Sequence, residues 1–157
     1  MTDNEIKSWL ENSKYHLSKN NMVLDKKQKP KVPNIIFEDL GKMRKAGKVL
    51  TSYADYVYGC LWNSLLTILM KNKHFIYQNE DIKNECKLRA VCAIDTIENG
   101  FDPNYGSTFY SYAYRICYTE SIHVLEEMNK FNEQFILESD LETQYKHESD
   151  QMIETNL

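Results

Sequence analysis

Four histidines, His16, His74, His123 and His147, lie in four separate segments. None stands in an HExxH or His-x-His arrangement, so no pair is spaced to share a metal ion. The cysteines, Cys60, Cys86, Cys92 and Cys117, form no CxxC and no CxxH. All four are expected as buried thiols in a reducing compartment. Cys117 has no histidine placed to activate it, and paired acids such as Glu126–Glu127 read as solvated surface. Glycine-rich phosphate loops and a GxSxG elbow are absent. The chain is therefore not expected to be an enzyme, and no metal or cofactor is expected.

The residues with chemistry to offer are rings. The stretch FDPNYGSTFYSYAYRICY, residues 101–118, holds Phe101, Tyr105, Phe109, Tyr110, Tyr112, Tyr114 and Tyr118. A helix that turns one side to a core cannot bury all of them. Tyrosine tolerates a half-wet site, because its ring is apolar and its hydroxyl can bond to water or a ligand. Rings on a wet surface suit stacking on unpaired bases, at ~1–3 kcal/mol each. The plainer alternative is a tyrosine-rich core with scattered surface rings.

The elements around this stretch read as helices. Five glycines and three prolines in 157 residues are few for a β-sandwich or barrel. A first helix is expected over residues 3–18, capped by Thr2 or Asp3, with Ile6, Trp9, Leu10 and Leu17 on a broken apolar face. Residues 19–34 read as a polar, basic connector, either solvated or in contact with phosphates. Ile36 to Ala46 suits a helix ended by Gly47. Leu50 to Lys71 suits a core helix, with Tyr53, Tyr56, Val57, Cys60, Leu61, Ser64, Leu65, Ile68 and Leu69 at helical spacing.

Asp81 to Glu98 reads as one further helix, and Gly100, Pro103 and Gly106 break the pattern after it. A long helix is expected from Thr108 toward Met128. Tyr110, Tyr114, Cys117, Ser121, Leu125 and Met128 would turn inward, and Tyr112, Arg115, Thr119, His123 and Glu126 outward. Residues 129–157 carry seven acids, with apolar Phe131, Phe135, Ile136 and Leu141 suited to one more helix and fraying expected past Tyr145. This divides the chain into an N-terminal helix and connector (1–34), a helical domain (35–128) and an acidic helix or tail (129–157). No strand is predicted.

The order of residues from DIKNECKLRAVCAID through FDPNYGSTFYSYAYRI resembles region 2 of the sigma-70 family of bacterial transcription initiation factors. Asp81, Asn84, Glu85, Ala93, Asp95, Phe101, Asp102, Gly106, Phe109, Tyr112, Ala113, Arg115 and Ile116 follow that family's sequence of a polar helix, an FDP loop with a glycine, and an F-x-x-Y-x-x-R-I helix. The resemblance covers roughly residues 48–128. With only about thirty acidic residues after Met128, the chain looks most like the small late-transcription sigma factors of T-even-type bacteriophages. Thr96 to Gly100 are extra relative to most members of the family, and Glu120, Glu126 and Glu127 follow Arg115 where basic residues are usual.

The resemblance implies a compact all-α bundle with flanking helices or tails. It implies that Asp81, Asn84, Glu85, Lys87 and Val91 hold core RNA polymerase, at the clamp helices of its largest subunit. It places Phe101, Asp102, Tyr105, Phe109, Tyr112, Arg115 and Thr119 on the melted non-template strand of promoter DNA at an A/T-rich minus-ten element. Tyr112 would take the place of the leaving base, Arg115 would meet phosphate and Thr119 would reach a base edge. A late coactivator and a sliding clamp are implied as further partners, the clamp through the terminal QMIETNL.

Charge adds a constraint. Residues 1–48 carry eleven basic and six acidic groups, net +5. Residues 49–107 are net −2 and residues 108–157 net −7, for a total of −4. Strong attraction of the whole molecule to duplex DNA is not expected, so a DNA role requires a local site or prior docking on polymerase. The longest apolar stretch, Cys60 to Met70, contains Asn63 and Ser64 and is too short to span a bilayer. With no leader-like N-terminus, the expected location is the cytoplasm, by resemblance that of a host bacterium. A small all-helical adaptor that binds another protein without touching DNA also fits the acidic tail.

Overall fold

The computed structural model describes the backbone of residues 1–155 and the side chains of residues 1–142. Its elements are α1 (Asp3–Asn12), β1 (His16–Leu17), β2 (Val23–Leu24), α2 (Asn34–Lys45), α3 (Ser52–Met70), α4 (Glu80–Cys92), α5 (Ile94–Gly100), a 3-10 turn at Pro103–Tyr105, and α6 (Phe109–Thr155). Among the described residues the fold is all-α apart from the two short strands. Residues 1–121 form one compact unit and residues 122–157 a second.

Helix α3 is the centre of the first unit. Val57, Tyr58, Cys60, Leu61, Trp62, Ser64, Leu65, Leu66 and Leu69 are all buried, so more of its circumference is enclosed than one apolar stripe. Tyr56, expected inward, is exposed and donates its hydroxyl to Asn21 Oδ1 at 3.0 Å. Thr51 caps the helix by accepting from the Ala54 amide at 3.1 Å. Thr2 and Asn79 cap α1 and α4 in the same way. Gly47 ends α2 with a left-handed φ of 75°, a conformation without cost only for glycine.

The first helix stops at Asn12 rather than near residue 18. Lys14 takes a left-handed φ of 63°, and the chain then forms an antiparallel hairpin pairing His16 with Leu24 and Leu17 with Val23. The basic connector is therefore no free loop at its start. Val23 is fully buried, and its amide and carbonyl both bond Ser64 Oγ on α3, at 2.8 and 3.0 Å. A buried hydroxyl that serves both groups of one residue satisfies a backbone that would otherwise be costly to enclose.

The single helix expected over 81–98 is two helices, α4 and α5, broken at Ala93. No glycine or proline marks the break, so tertiary packing decides it. The second piece buries Ile97 and Glu98. The Glu98 carboxylate, 5% exposed, accepts from Arg44 Nε of α2 at 2.7 Å and from the Tyr58 hydroxyl of α3 at 2.5 Å. A buried carboxylate is tolerated when it is paired and hydrogen-bonded in this way. Burial, and next the bond to Glu98, push the Tyr58 hydroxyl well above its ordinary titration range.

Helix α6 begins where expected, with Thr108 accepting from the Ser111 amide at 3.1 Å. Its inward line is Phe109, Ala113, Cys117 and Ser121. Tyr110, Tyr114 and Leu125, assigned to the inward face, are only half-buried, and Met128 is exposed. Cys117 and Ser121 turn inward as expected, and in the first turns Phe109 and Ala113, each one position earlier, take the inward places expected of Tyr110 and Tyr114. In the second unit, Phe131, Phe135, Ile136, Leu137 and Leu141 of α6 are exposed. The helix continues to Thr155 where fraying was expected past Tyr145. Among the described residues no helix is long and apolar enough to cross a membrane.

Candidate functional site

The loop between α5 and α6 is fastened from three sides. Lys45 Nζ donates to the Phe101 carbonyl at 2.9 Å. Asn34 Oδ1, at the start of α2, accepts from the Tyr110 amide at 2.9 Å. Phe101 and Phe109, 4% and 2% exposed, meet edge to face with centroids 5.3 Å apart. Phe109 also packs on Phe37 at 4.7 Å and approaches Gly41 so closely that a Cβ there would fall 2.9 Å from its ring. That approach explains a glycine inside α2.

Phe101 and Phe109 were expected on the strand-capture surface, and the structure places both in the core. Apolar rings at the two ends of a short loop bury more surface by packing on each other than by facing water. They serve as anchors for what lies between them. At the tip, Tyr105 is 85% exposed. Asp102 accepts from the Asn104 amide at 2.9 Å and shapes the 3-10 turn, and Gly106 follows with a φ of 77°. The Asp102 carboxylate is thus already engaged with its own loop.

Tyr112 is half-buried. Its ring leans on Phe101 at 5.6 Å, and its hydroxyl sits against Gly100, where a Cβ would fall 2.5 Å from the oxygen. Arg115 is exposed, with its guanidinium 5.8 Å from the Tyr112 ring centroid. Thr119 is exposed, but its hydroxyl donates back to the Arg115 carbonyl at 3.0 Å, leaving only lone pairs for a base edge. Tyr112, Arg115 and Thr119 therefore share one side of α6, as expected.

The residues expected to hold a protein partner are on α4. Asp81, Asn84, Glu85 and Val91 are exposed, and Lys87 is half-buried. Leu88 and Cys92 are also exposed, because Cys86 and Ala90 supply the buried side. The spacing 81, 84, 85, 88, 91 and 92 makes one face, polar at its start and apolar at its end. Leu88 is a candidate the sequence reading missed. Its signal was its position between Glu85 and Val91 on the same helical stripe.

A third surface is basic. Lys14, Lys26, Lys27, Lys29 and Lys31 line a groove of about 400 Å³ beside the hairpin, together with Ser13, Tyr15 and Asp25. Asp25 accepts from the Lys27 and Lys29 amides at 2.8 and 3.0 Å. The Lys29 amide bond in particular holds the Asp25 carboxyl below its ordinary range. The lysines are thereby spaced around a fixed turn.

Burial raises the Cys117 thiol to about 12 and also pushes up Cys60 and Cys86, so these are inert protonated groups at neutral pH. Cys92 departs from the expectation of four buried thiols. Among the described residues no group of three or more His, Cys, Asp or Glu side chains converges on a metal position. The terminal QMIETNL, expected to contact a sliding clamp, lies outside the residues whose side chains are described.

The fold defines an all-α protein with an aromatic loop and an exposed amphipathic helix face. Comparison with protein-family models, with curated proteins and with solved structures finds no match.

Proposed function

We propose that this chain is a small sigma-type initiation factor of the late-phage class. It binds core RNA polymerase through Asp81, Asn84, Glu85, Leu88 and Val91 of α4, against the clamp helices of the largest subunit. It then captures the opened non-template strand of an A/T-rich minus-ten element with Tyr105, Tyr112 and Arg115. Phe101, Asp102 and Phe109 act by holding the loop, and the lysine groove lies along duplex phosphates. A late coactivator and a sliding clamp are the further partners of this reading, and a bacterial cytoplasm its setting.

The observation that carries the reading is the loop itself. Tyr105 is displayed at the tip of a segment whose two ends are locked in the core, next to a half-open Tyr112 with a cation over its ring. A flipped base must recover a few kcal/mol of lost stacking, and a ring held in place returns more of that than a mobile one. Adenine–thymine steps open at lower cost, which favours an A/T-rich element.

The exposed Leu88 and Val91 of α4 and the exposed apolar residues of α6 also favour a second reading, a helical adaptor that binds only protein. Run-off transcription separates the two. Core polymerase is given a template with an A/T-rich minus-ten element, with and without the chain. A specific transcript that depends on the chain supports the sigma reading. Binding to core without any transcript supports the adaptor.

A further inference from the structure

An open groove of about 350 Å³ lies between the α3–α4 connector and α6, lined by Asn72, Lys73, His74, Tyr114, Arg115 and Tyr118. We propose that this groove is a second nucleotide site, seating one unpaired base of a single strand against its rings and the adjoining phosphate on Lys73 and Arg115. The inference extends the nucleic-acid part of the proposed function and rests on that part alone; binding to polymerase is not required for it.

The lining has the composition such a ligand needs. Three rings, His74, Tyr114 and Tyr118, supply stacking surface, and two permanent cations supply phosphate contacts. Among the described residues no carboxylate lines the groove, and neither Lys73 nor Arg115 has an acidic partner. The volume is near the lower end of ligand sites, which run from roughly 300 to 1,000 Å³. It suits one nucleotide rather than an extended ligand.

The rings are held in place. Tyr118 packs edge-on against the fully buried Phe75 at 5.7 Å and against His74 at 5.9 Å. Tyr114 leans on Tyr110 at 6.0 Å. The Asn72 side chain accepts from the His74 amide at 3.1 Å and sets the connector's bend. Around α6, at about 100° per residue, the order is Tyr112, Arg115, Tyr118, Tyr114. Arg115 therefore stands between the Tyr112 ring and the groove. A phosphate on Arg115 would join a base at Tyr112 to its neighbour in the groove.

The test uses the full chain and a fluorescein-labelled single-stranded oligonucleotide of about 12 nucleotides carrying 5-bromouracil, a length within the range that single-strand binders cover. Photocrosslinks are expected at His74, Tyr114 or Tyr118. Lys73→Gln, an exposed change that leaves packing alone, should weaken binding and flatten the slope of log K against log salt by about 0.7. Tyr114→Leu should weaken binding roughly tenfold while Tyr114→Phe keeps it. A matched duplex should bind more weakly, since its bases are not free to enter.

The site is overturned if crosslinks fall only on Tyr105 and Tyr112 while Lys73→Gln and Tyr114→Leu keep the parent affinity and salt slope. It is equally overturned if duplex and single strand bind alike or if the free chain shows no saturable binding. The first outcome leaves the sigma reading standing. Conversely, absence of a run-off transcript with these crosslinks intact removes the polymerase role and keeps the site.

Discussion

Arg115 lies over the ring of Tyr112, one helical turn earlier on α6, with its guanidinium carbon 5.8 Å from the ring centroid. The same tyrosine is tied at its other side to Phe101 and Gly100. A ring braced at one edge and paired with an exposed cation combines a stacking surface with a phosphate contact. That pairing lets one side of a helix hold a base and its backbone together.

The polymerase surface makes a direct prediction. Asp81, Asn84 and Glu85 are exposed, so their joint replacement by Ala should cost no more than ~0.5 kcal/mol of fold stability each. Affinity for core polymerase should nevertheless be lost. Leu88→Glu should do the same alone, by placing a charge in the apolar end of the face. Pull-down with core polymerase, beside a thermal melt of each variant, measures both effects. Unchanged affinity in the triple variant would remove the assignment.

The Glu98 cluster predicts stability and its pH dependence. Arg44→Met leaves a carboxylate, 5% exposed, without its cation. Loss of one partner of a buried pair costs ~3–5 kcal/mol, and the lower end applies because Arg44 is itself about a third exposed. Arg44→Met with Glu98→Gln should recover part of that loss. Tyr58 is held protonated in the fold by burial and by Glu98, while in the unfolded chain it ionises near 10.0. Its contribution is therefore fully present below pH 10 and declines as pH rises above it. Urea midpoints followed across about pH 9 to 11 should fall more steeply for the parent than for Tyr58→Phe.

The thiols should separate by reactivity. Cys92 is exposed, whereas Cys60, Cys86 and Cys117 are buried with raised pKa values. At neutral pH a thiol reagent should label Cys92 promptly and the other three only on unfolding. Mass spectrometry of timed alkylation reads this directly. Rapid labelling of Cys117 would contradict the packing of α6.

Much of this architecture was legible in local sequence. Gly47 ended α2, the apolar spacing of residues 53–69 gave a central helix, and Tyr112, Arg115 and Thr119 fell on one side of α6. The features that were not legible depend on long-range pairing. Ser64 holds Val23 from 41 positions away, which turns part of a polar connector into a docked hairpin. Arg44 reaches Glu98 across 54 positions, and that bond, not a helix breaker, goes with the bend at Ala93. Phe109 looked like a surface ring because its partners, Phe37 and Gly41, lie on another helix, and Phe101 is enclosed in turn by packing on Phe109. The groove at His74 needed the α3–α4 connector to fold back. Phe75, a lone buried ring in the polar run KNKHFIYQNE, was the one hint of it.

The central claim is that Tyr112 holds a base of an opened strand, and the most direct measurement is open-complex lifetime for a Tyr112 series with core polymerase. Tyr112→Phe and Tyr112→Trp should keep most of the lifetime, because stacking needs the ring. Tyr112→Ala should lose ~1–3 kcal/mol of open-complex stability. A template carrying a pre-opened mismatch bubble should return part of that loss, since the melting cost is gone. Because Tyr112 also leans on Phe101, the Ala variant should lose about 1–2 kcal/mol of fold stability, less than the ~3–5 kcal/mol of a fully enclosed ring. An Ala variant with the parent's open-complex lifetime, or one whose defect is the same on duplex and bubble templates, would contradict the account.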